Sequence, residues 1–157
     1  MTSESRRTAS VRLPATLEAT RSLNSWIDTL LGTTEFRAFR RRKGDIELAL
    51  HEVITNVIMH AFGVTAAAPA EDGVDVREQH LDIDAEMANN LLVFRVRDRG
   101  AAFDALAYVK PDPAVPQVHG YGLMILDQLC ESCVYARSEN GENTWDVSFA
   151  PNLTSVR

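Results

Sequence analysis

Three short groupings in this 157-residue sequence carry residue types that do chemistry. The first is Glu52, Asn56 and His60. Spaced at i, i+4 and i+8, they form one stripe along a helix: a carboxylate, an amide and an imidazole in line. Ile46, Leu50, Val53, Val57 and Ala61 gather on roughly the opposite side at about 100° per residue, so the same helix has an apolar face to bury. A solvated polar face usually carries Lys or Arg; this stripe, flanked by Thr55 and Met59, carries neither. His51-Glu52 also begins a zinc-protease pattern. Thr55 stands where the second histidine is needed, so the two-imidazole clamp cannot form.

The second grouping is Asp98-Arg99-Gly100-Ala101-Ala102-Phe103-Asp104. Asp98 is in phase with Leu92, Phe94 and Val96 on an alternating strand, which turns its carboxylate to the core side. A buried carboxylate is costly unless it accepts hydrogen bonds. The amino group of adenine is one donor of the right kind. Gly100 allows a sharp turn or a close backbone approach. The third grouping is Gly120-Tyr121-Gly122-Leu123, at the start of a helix behind a Pro-rich stretch. Two glycines at a helix N-terminus leave N–H groups free to hold phosphate. No G-x-x-x-x-G-K-[ST] is present, so any phosphate chemistry here is not that of a P-loop.

These groups need elements to position them. Ser10–Pro14 reads as a short strand and 15–31 as an amphipathic helix through Leu17, Leu23, Trp26, Ile27 and Leu30, ended by Gly32. The basic run Arg37–Arg42 with Lys43 reads as a solvated loop or helix face. Residues 45–62 form the second helix, with Asp45 as N-cap. Residues 63–73 have no period and read as a loop. Strands follow over 80–87 and 91–98, joined by a turn at Asn89-Asn90. Pro111, Pro113 and Pro116 exclude a regular helix through 104–119. A third helix over 121–130 precedes a hairpin, 133–138 and 144–149, around Asn140-Gly141. The economical assembly is an α+β fold: a two-layer α/β sandwich with three main helices on one face of a mixed, mostly antiparallel sheet.

Length fits one domain. We read residues 1–9 as a flexible N-terminus, 10–150 as the folded domain and 151–157 as a tail. With 45% hydrophobic and 24% charged residues the chain can build a core. A net charge of -6 disfavours direct binding to nucleic acid. The polar first ten residues hold no signal-peptide core, and no run approaches the ~18 apolar residues of a membrane span. A cytoplasmic location is the default expectation. Cys130 and Cys133 make a C-x-x-C at the end of a helix, where the dipole opposes a thiolate. A single pair is also only half a zinc site, so we expect the spacing to be coincidental.

In order and spacing, the three groupings resemble the ATPase superfamily of DNA gyrase, Hsp90, histidine kinases and MutL, which has the Bergerat-type ATPase fold. The E-x-x-x-N helix is Glu52-Val53-Ile54-Thr55-Asn56, the Asp–Gly turn Asp98-Arg99-Gly100, and the glycine box Gly120-Tyr121-Gly122-Leu123. Within the superfamily the chain is most similar to the small anti-sigma-factor serine/threonine kinases, in residues 47–62 and in the Phe103-Asp104 that follows the turn. The resemblance covers residues 10–150. It implies ATP and Mg²⁺ as cofactors. Asn56 would ligate Mg²⁺ and Glu52 would act as the catalytic base toward a substrate hydroxyl. Asp98 would take the adenine amino group with Gly100 making room, and Gly120 and Gly122 would face the phosphates. His60, Phe103, Tyr121 and Leu123 complete the nucleotide-binding set. Residues 105–119 would form a lid whose cationic residues are Lys110 and His119. Ala102 replaces the second glycine of the usual turn, and the lid has no Arg. The implied function is partner switching: sequestering a sigma factor and phosphorylating its small antagonist protein, with pairing of two copies left open. The alternatives are a non-catalytic ATP-binding module and a histidine-kinase-type catalytic domain.

Overall fold

The computed structural model describes residues 8–62, 79–103 and 122–152. Five strands form one sheet: β1 (Thr8–Pro14), β2 (His80–Ala88), β3 (Leu91–Asp98), β4 (Ser132–Arg137) and β5 (Asn143–Phe149). Their spatial order is β1-β2-β3-β5-β4. All four pairings are antiparallel, so the expected mixed character is absent among the described strands. Thr8 and Ala9 belong to β1, which therefore begins inside the segment read as a flexible N-terminus.

Alternation decides which face is covered. Leu81, Ile83, Ala85, Leu92, Phe94, Val96, Trp145, Val147 and Phe149 are all buried. They meet the apolar sides of three helices: α1 (Ala19–Gly32), α2 (Lys43–Asn56) and α3 (Gly122–Leu129). The other face carries cross-strand ion pairs, Arg12–Asp82, Arg97–Asp84 and Arg95–Asp146. Asn89 and Asn90, at φ 51° and 63°, make the tight β2–β3 turn. The β4–β5 hairpin is wider than a two-residue turn. The Ser138 N–H donates to Glu142 O, and Gly141 sits at φ 86° in the left-handed region that favours glycine.

Two local readings of the sequence give way. Residues Arg37–Arg42 form a 3-10 helix, and Arg42 is buried (2% exposed) instead of solvated. Its Nε donates to Asp45 Oδ2 at 2.9 Å, Nη1 to Ala150 O at 2.8 Å and Nη2 to Leu129 O at 2.6 Å. The guanidinium also lies over the Phe149 ring, 5.7 Å from its centroid. This one side chain thus joins the start of α2, the last residue of α3 and the end of β5. Asp45 is accordingly a first-turn residue paired with Arg42, and α2 begins two residues before it. The second helix also changes form. After Asn56 it widens into a π-helical turn, Val57–Ala61, closed by the Phe62 N–H on Val57 O.

Candidate functional site

The π-helical turn meets the end of β3. The Ala101 N–H donates to Ala61 O at 2.8 Å. Gly100 lies so close that a Cβ on it would stand 2.5 Å from Ala61 O. The glycine is therefore required by the approach of the helix end. π-turns inside helices are rare and recur at functional sites. Here the turn brings Asn56, His60 and Ala61 to a cleft whose other wall is Asp98, Phe103, Tyr135, Asn143 and Trp145. Glu52 is half-buried one turn earlier on α2.

Asp98 sits where strand alternation places it, on the core side and 3% exposed. Oδ1 accepts the Gly100 N–H and the Asn143 Nδ2–H, each at 2.9 Å. Oδ2 is buried and, among the described residues, has no hydrogen-bond partner. Burial holds the carboxyl above the usual carboxylate range, and the hydrogen bonds from Asn143 and Gly100 draw it part of the way back. A buried acceptor oxygen without a protein donor needs a partner, either an ordered water or a donor of a bound molecule.

Asn143, Tyr135 and Arg137 were not singled out from the sequence. Asn143 is directly opposite Asp98 in the β3–β5 register and is 1% exposed. Its Oδ1 accepts from Tyr135 Oη at 2.6 Å and from Arg137 Nη1 at 2.8 Å. Tyr135 Oη in turn accepts the Phe103 N–H at 2.9 Å. The Phe103 ring meets Tyr135, Trp145 and His60 edge-on, at centroid distances of 5.6, 5.1 and 6.4 Å. The β4–β5 hairpin is therefore a clamp on the whole Asp98–Phe103 turn. A signal for it existed: Asn143 is in phase with Trp145, Val147 and Phe149, a polar residue at an apolar position of its strand.

Among the sequence-predicted residues, Asn56, His60, Asp98 and Phe103 line the one cleft, with Gly100 in the turn beneath it and Glu52 nearby on α2. Gly122 begins α3. Lys110, His119, Gly120 and Tyr121, with the lid of residues 105–119, lie outside the described residues, as does the side chain of Leu123. Among the described residues no group of three His, Cys, Asp or Glu is placed to hold a metal ion. Asn56 is half-buried and lines this cleft. Cys130 and Cys133 lie apart from the cleft lining. The Cys130 Sγ–H donates to Leu126 O, and burial pushes the Cys133 thiol up to about 12, far from a reactive thiolate. Among the described residues no helix is long and apolar enough to cross a membrane.

No curated protein matches the sequence at a significant level. Among solved structures the fold is similar to the histidine kinase AdeS of Acinetobacter baumannii, at 15% identity over 93% of this chain and 69% of that one, with a TM-score of 0.46. The model of the histidine kinase-like ATPase domain matches residues 13–148, from the last residues of β1 to the end of β5 and so across the whole cleft. The matched span thus takes in the antiparallel sheet with helices on one face, the buried Asp98 at the end of β3 and the Asn56-bearing helix beside it. By that match the chain belongs to the histidine kinase-like ATPase domain family.

Proposed function

We propose that the chain binds Mg·ATP in this cleft and transfers the terminal phosphate to a Ser or Thr of a small antagonist protein, while holding a sigma factor as its second partner. The observation that carries the nucleotide part is Asp98 Oδ2, buried and, among the described residues, without a donor. The adenine amino group is such a donor. The polar groups at the cleft fit the rest of the ligand. Asn56 offers an amide oxygen to Mg²⁺. Glu52, one helical turn before it, would take a hydroxyl proton near the terminal phosphate. Phosphoryl transfer needs mainly positioning and charge neutralisation, which a small domain can supply with Mg²⁺ bound. The partner-switching part rests on the likeness of residues 47–62 and Phe103-Asp104 to the anti-sigma-factor kinases.

One observation favours a non-catalytic ATP-binding module that sequesters its partner: the described residues lining the cleft include no Lys or Arg. A single experiment separates the two. The full chain is titrated with Mg·ATP by thermal shift and calorimetry, then incubated with labelled ATP and the small proteins encoded beside it. Binding with transfer to a Ser or Thr supports the kinase. Binding without transfer supports the module. No thermal shift at millimolar Mg·ATP removes both, because any ligand of the native state raises its melting temperature by linkage.

A further inference from the structure

The two oxygens of Asp98 live in unlike surroundings: Oδ1 is held by the Asn143 amide and the Gly100 N–H, and Oδ2 by no described group. The Nδ2 of Asn143 is 2.9 Å from Asp98 Oδ1, 2.9 Å from Ala101 O and 3.2 Å from Gly100 O. Its Oδ1 faces Tyr135 Oη and Arg137 Nη1. The second of these groups can only donate. The Tyr135 hydroxyl oxygen is already accepting the Phe103 N–H, which leaves its own proton for Asn143. These two donors fix the amide's orientation, so an NH₂ group must face Asp98. One carboxylate oxygen is thereby occupied and the other left as a bare acceptor.

The bases differ at the position that would meet such an oxygen. A 6-amino purine presents N–H donors there, and a 6-oxo purine presents an acceptor. Resting on the reading of this cleft as a nucleotide site, we propose that Asn143 is a specificity-determining residue: by holding Asp98 Oδ1 it keeps Oδ2 an acceptor and selects a 6-amino over a 6-oxo purine. Asn143 acts through Asp98 and its own amide is fully used, so it is a positioning residue that does not read the base itself. The electrostatics agree. Burial favours a neutral Asp98, and the Asn143 bond is the foremost influence holding it ionised, followed by the Gly100 N–H and Arg137, with Glu142 acting the other way. His60 faces the same cleft from the π-turn. Without Asn143 the carboxyl would take a proton at higher pH, and an Oδ2–H would donate to a 6-oxo group.

The test compares Mg·ATP with Mg·ITP on the full chain, from mildly acidic to mildly alkaline pH. Wild type should prefer ATP by about 10- to 100-fold, the worth of one hydrogen bond to a charged group. Asn143→Leu should narrow that ratio at least tenfold, and its remaining ATP affinity should rise with pH as Asp98 ionises. Asn143→Ser, which keeps a donor, should retain most of the preference. Asn143→Asp is isosteric but trades the NH₂ for an oxygen, and it carries the same expectation as the Leu variant if the latter does not fold. An unchanged ATP/ITP ratio in a folded variant that lacks the donor overturns the proposal, even if both affinities drop. If neither such variant folds, Asn143 is structural and the proposal is likewise overturned. Wild type that binds neither nucleotide instead overturns the reading of the cleft, an outcome distinct from an altered ratio.

Discussion

Gly100 and Ala61 are locked together: the Cβ that any other residue would bring at position 100 lies 2.5 Å from Ala61 O and 2.6 Å from Ala61 Cβ. The end of the second helix and the end of β3 thus share one van der Waals contact and one hydrogen bond, from the Ala101 N–H to Ala61 O. No flexible side chain is available to give way, because the obstacle is backbone.

Gly100→Ala must therefore push the Asp98–Phe103 turn off the π-turn. Overpacking of this kind costs about 1–3 kcal/mol. The loss should appear in urea unfolding as a lower midpoint with an unchanged slope. Nucleotide affinity should fall as well, because Asp98 and Asn56 sit on the two parts being separated. A variant as stable as wild type would show that the contact at Ala61 has room to relax.

Asp98→Asn should divide stability from binding. The carboxyl is raised above its ordinary range by burial. A group whose folded value is raised binds protons more tightly when folded, so the ionised form costs stability at neutral pH. That cost is relieved as pH falls through the raised value toward the ordinary carboxylate range near ~4. In ATP-free solution the neutral Asn variant should melt above wild type at pH 7, with the gap closing in acid. Added Mg·ATP should shift wild type and fail to shift the variant. A variant that melts lower than wild type at neutral pH would contradict the burial argument. A variant that still binds would contradict the ligand role of Oδ2.

Much of this was legible in the sequence because it rests on period. Alternation through Leu92, Phe94 and Val96 placed Asp98 on the buried side, and helical spacing placed Asn56 and His60 on one side of a helix. What period cannot carry is a change of period. The π-turn after Asn56 ends at Ala61, which packs against Gly100, a contact between residues 39 positions apart. Nor does local composition reveal that one arginine of a basic run is buried. Arg42 goes inside because the carbonyls of Leu129 and Ala150, far along the chain, need donors there. Asn143 was missed for a smaller reason. The last strand was started at Thr144, one residue late, which left its inward-facing amide in the turn.

Arg42→Met should be severe for a residue read as surface. Methionine fills the space over Phe149 but leaves two carbonyls and Asp45 without their donor. Two hydrogen bonds from a charged donor, at about 1.5 kcal/mol each by the lower bound, put the loss on the order of 3 kcal/mol. Arg42→Lys keeps the charge without the fork that reaches three acceptors, and should fall between. Chemical denaturation of both variants checks the order. Equal midpoints for wild type and Arg42→Met would mean that these bonds are replaced by water.

Glu52 separates the catalytic reading from the binding one. It lies one helical turn before Asn56 and is half-buried. A Ser or Thr hydroxyl is a poor nucleophile at neutral pH, and a positioned base contributes ~10²–10⁴-fold. Glu52→Gln keeps the size and the hydrogen-bonding reach of the side chain and removes only the base. The variant should bind Mg·ATP as wild type does, still hold the sigma-factor partner, and transfer phosphate at least about 100-fold more slowly in single turnover. Asn56→Ala is its counterpart: it should lose affinity for Mg·ATP while losing little for ATP without the metal, because the amide would act through the cation. If wild type and Glu52→Gln transfer at the same rate, the base is elsewhere and His60, which lines the same cleft, becomes the residue to change next. If both bind and neither transfers to any antagonist offered, the domain is an ATP-binding module, in keeping with the lack of Lys or Arg among the described residues of the cleft lining.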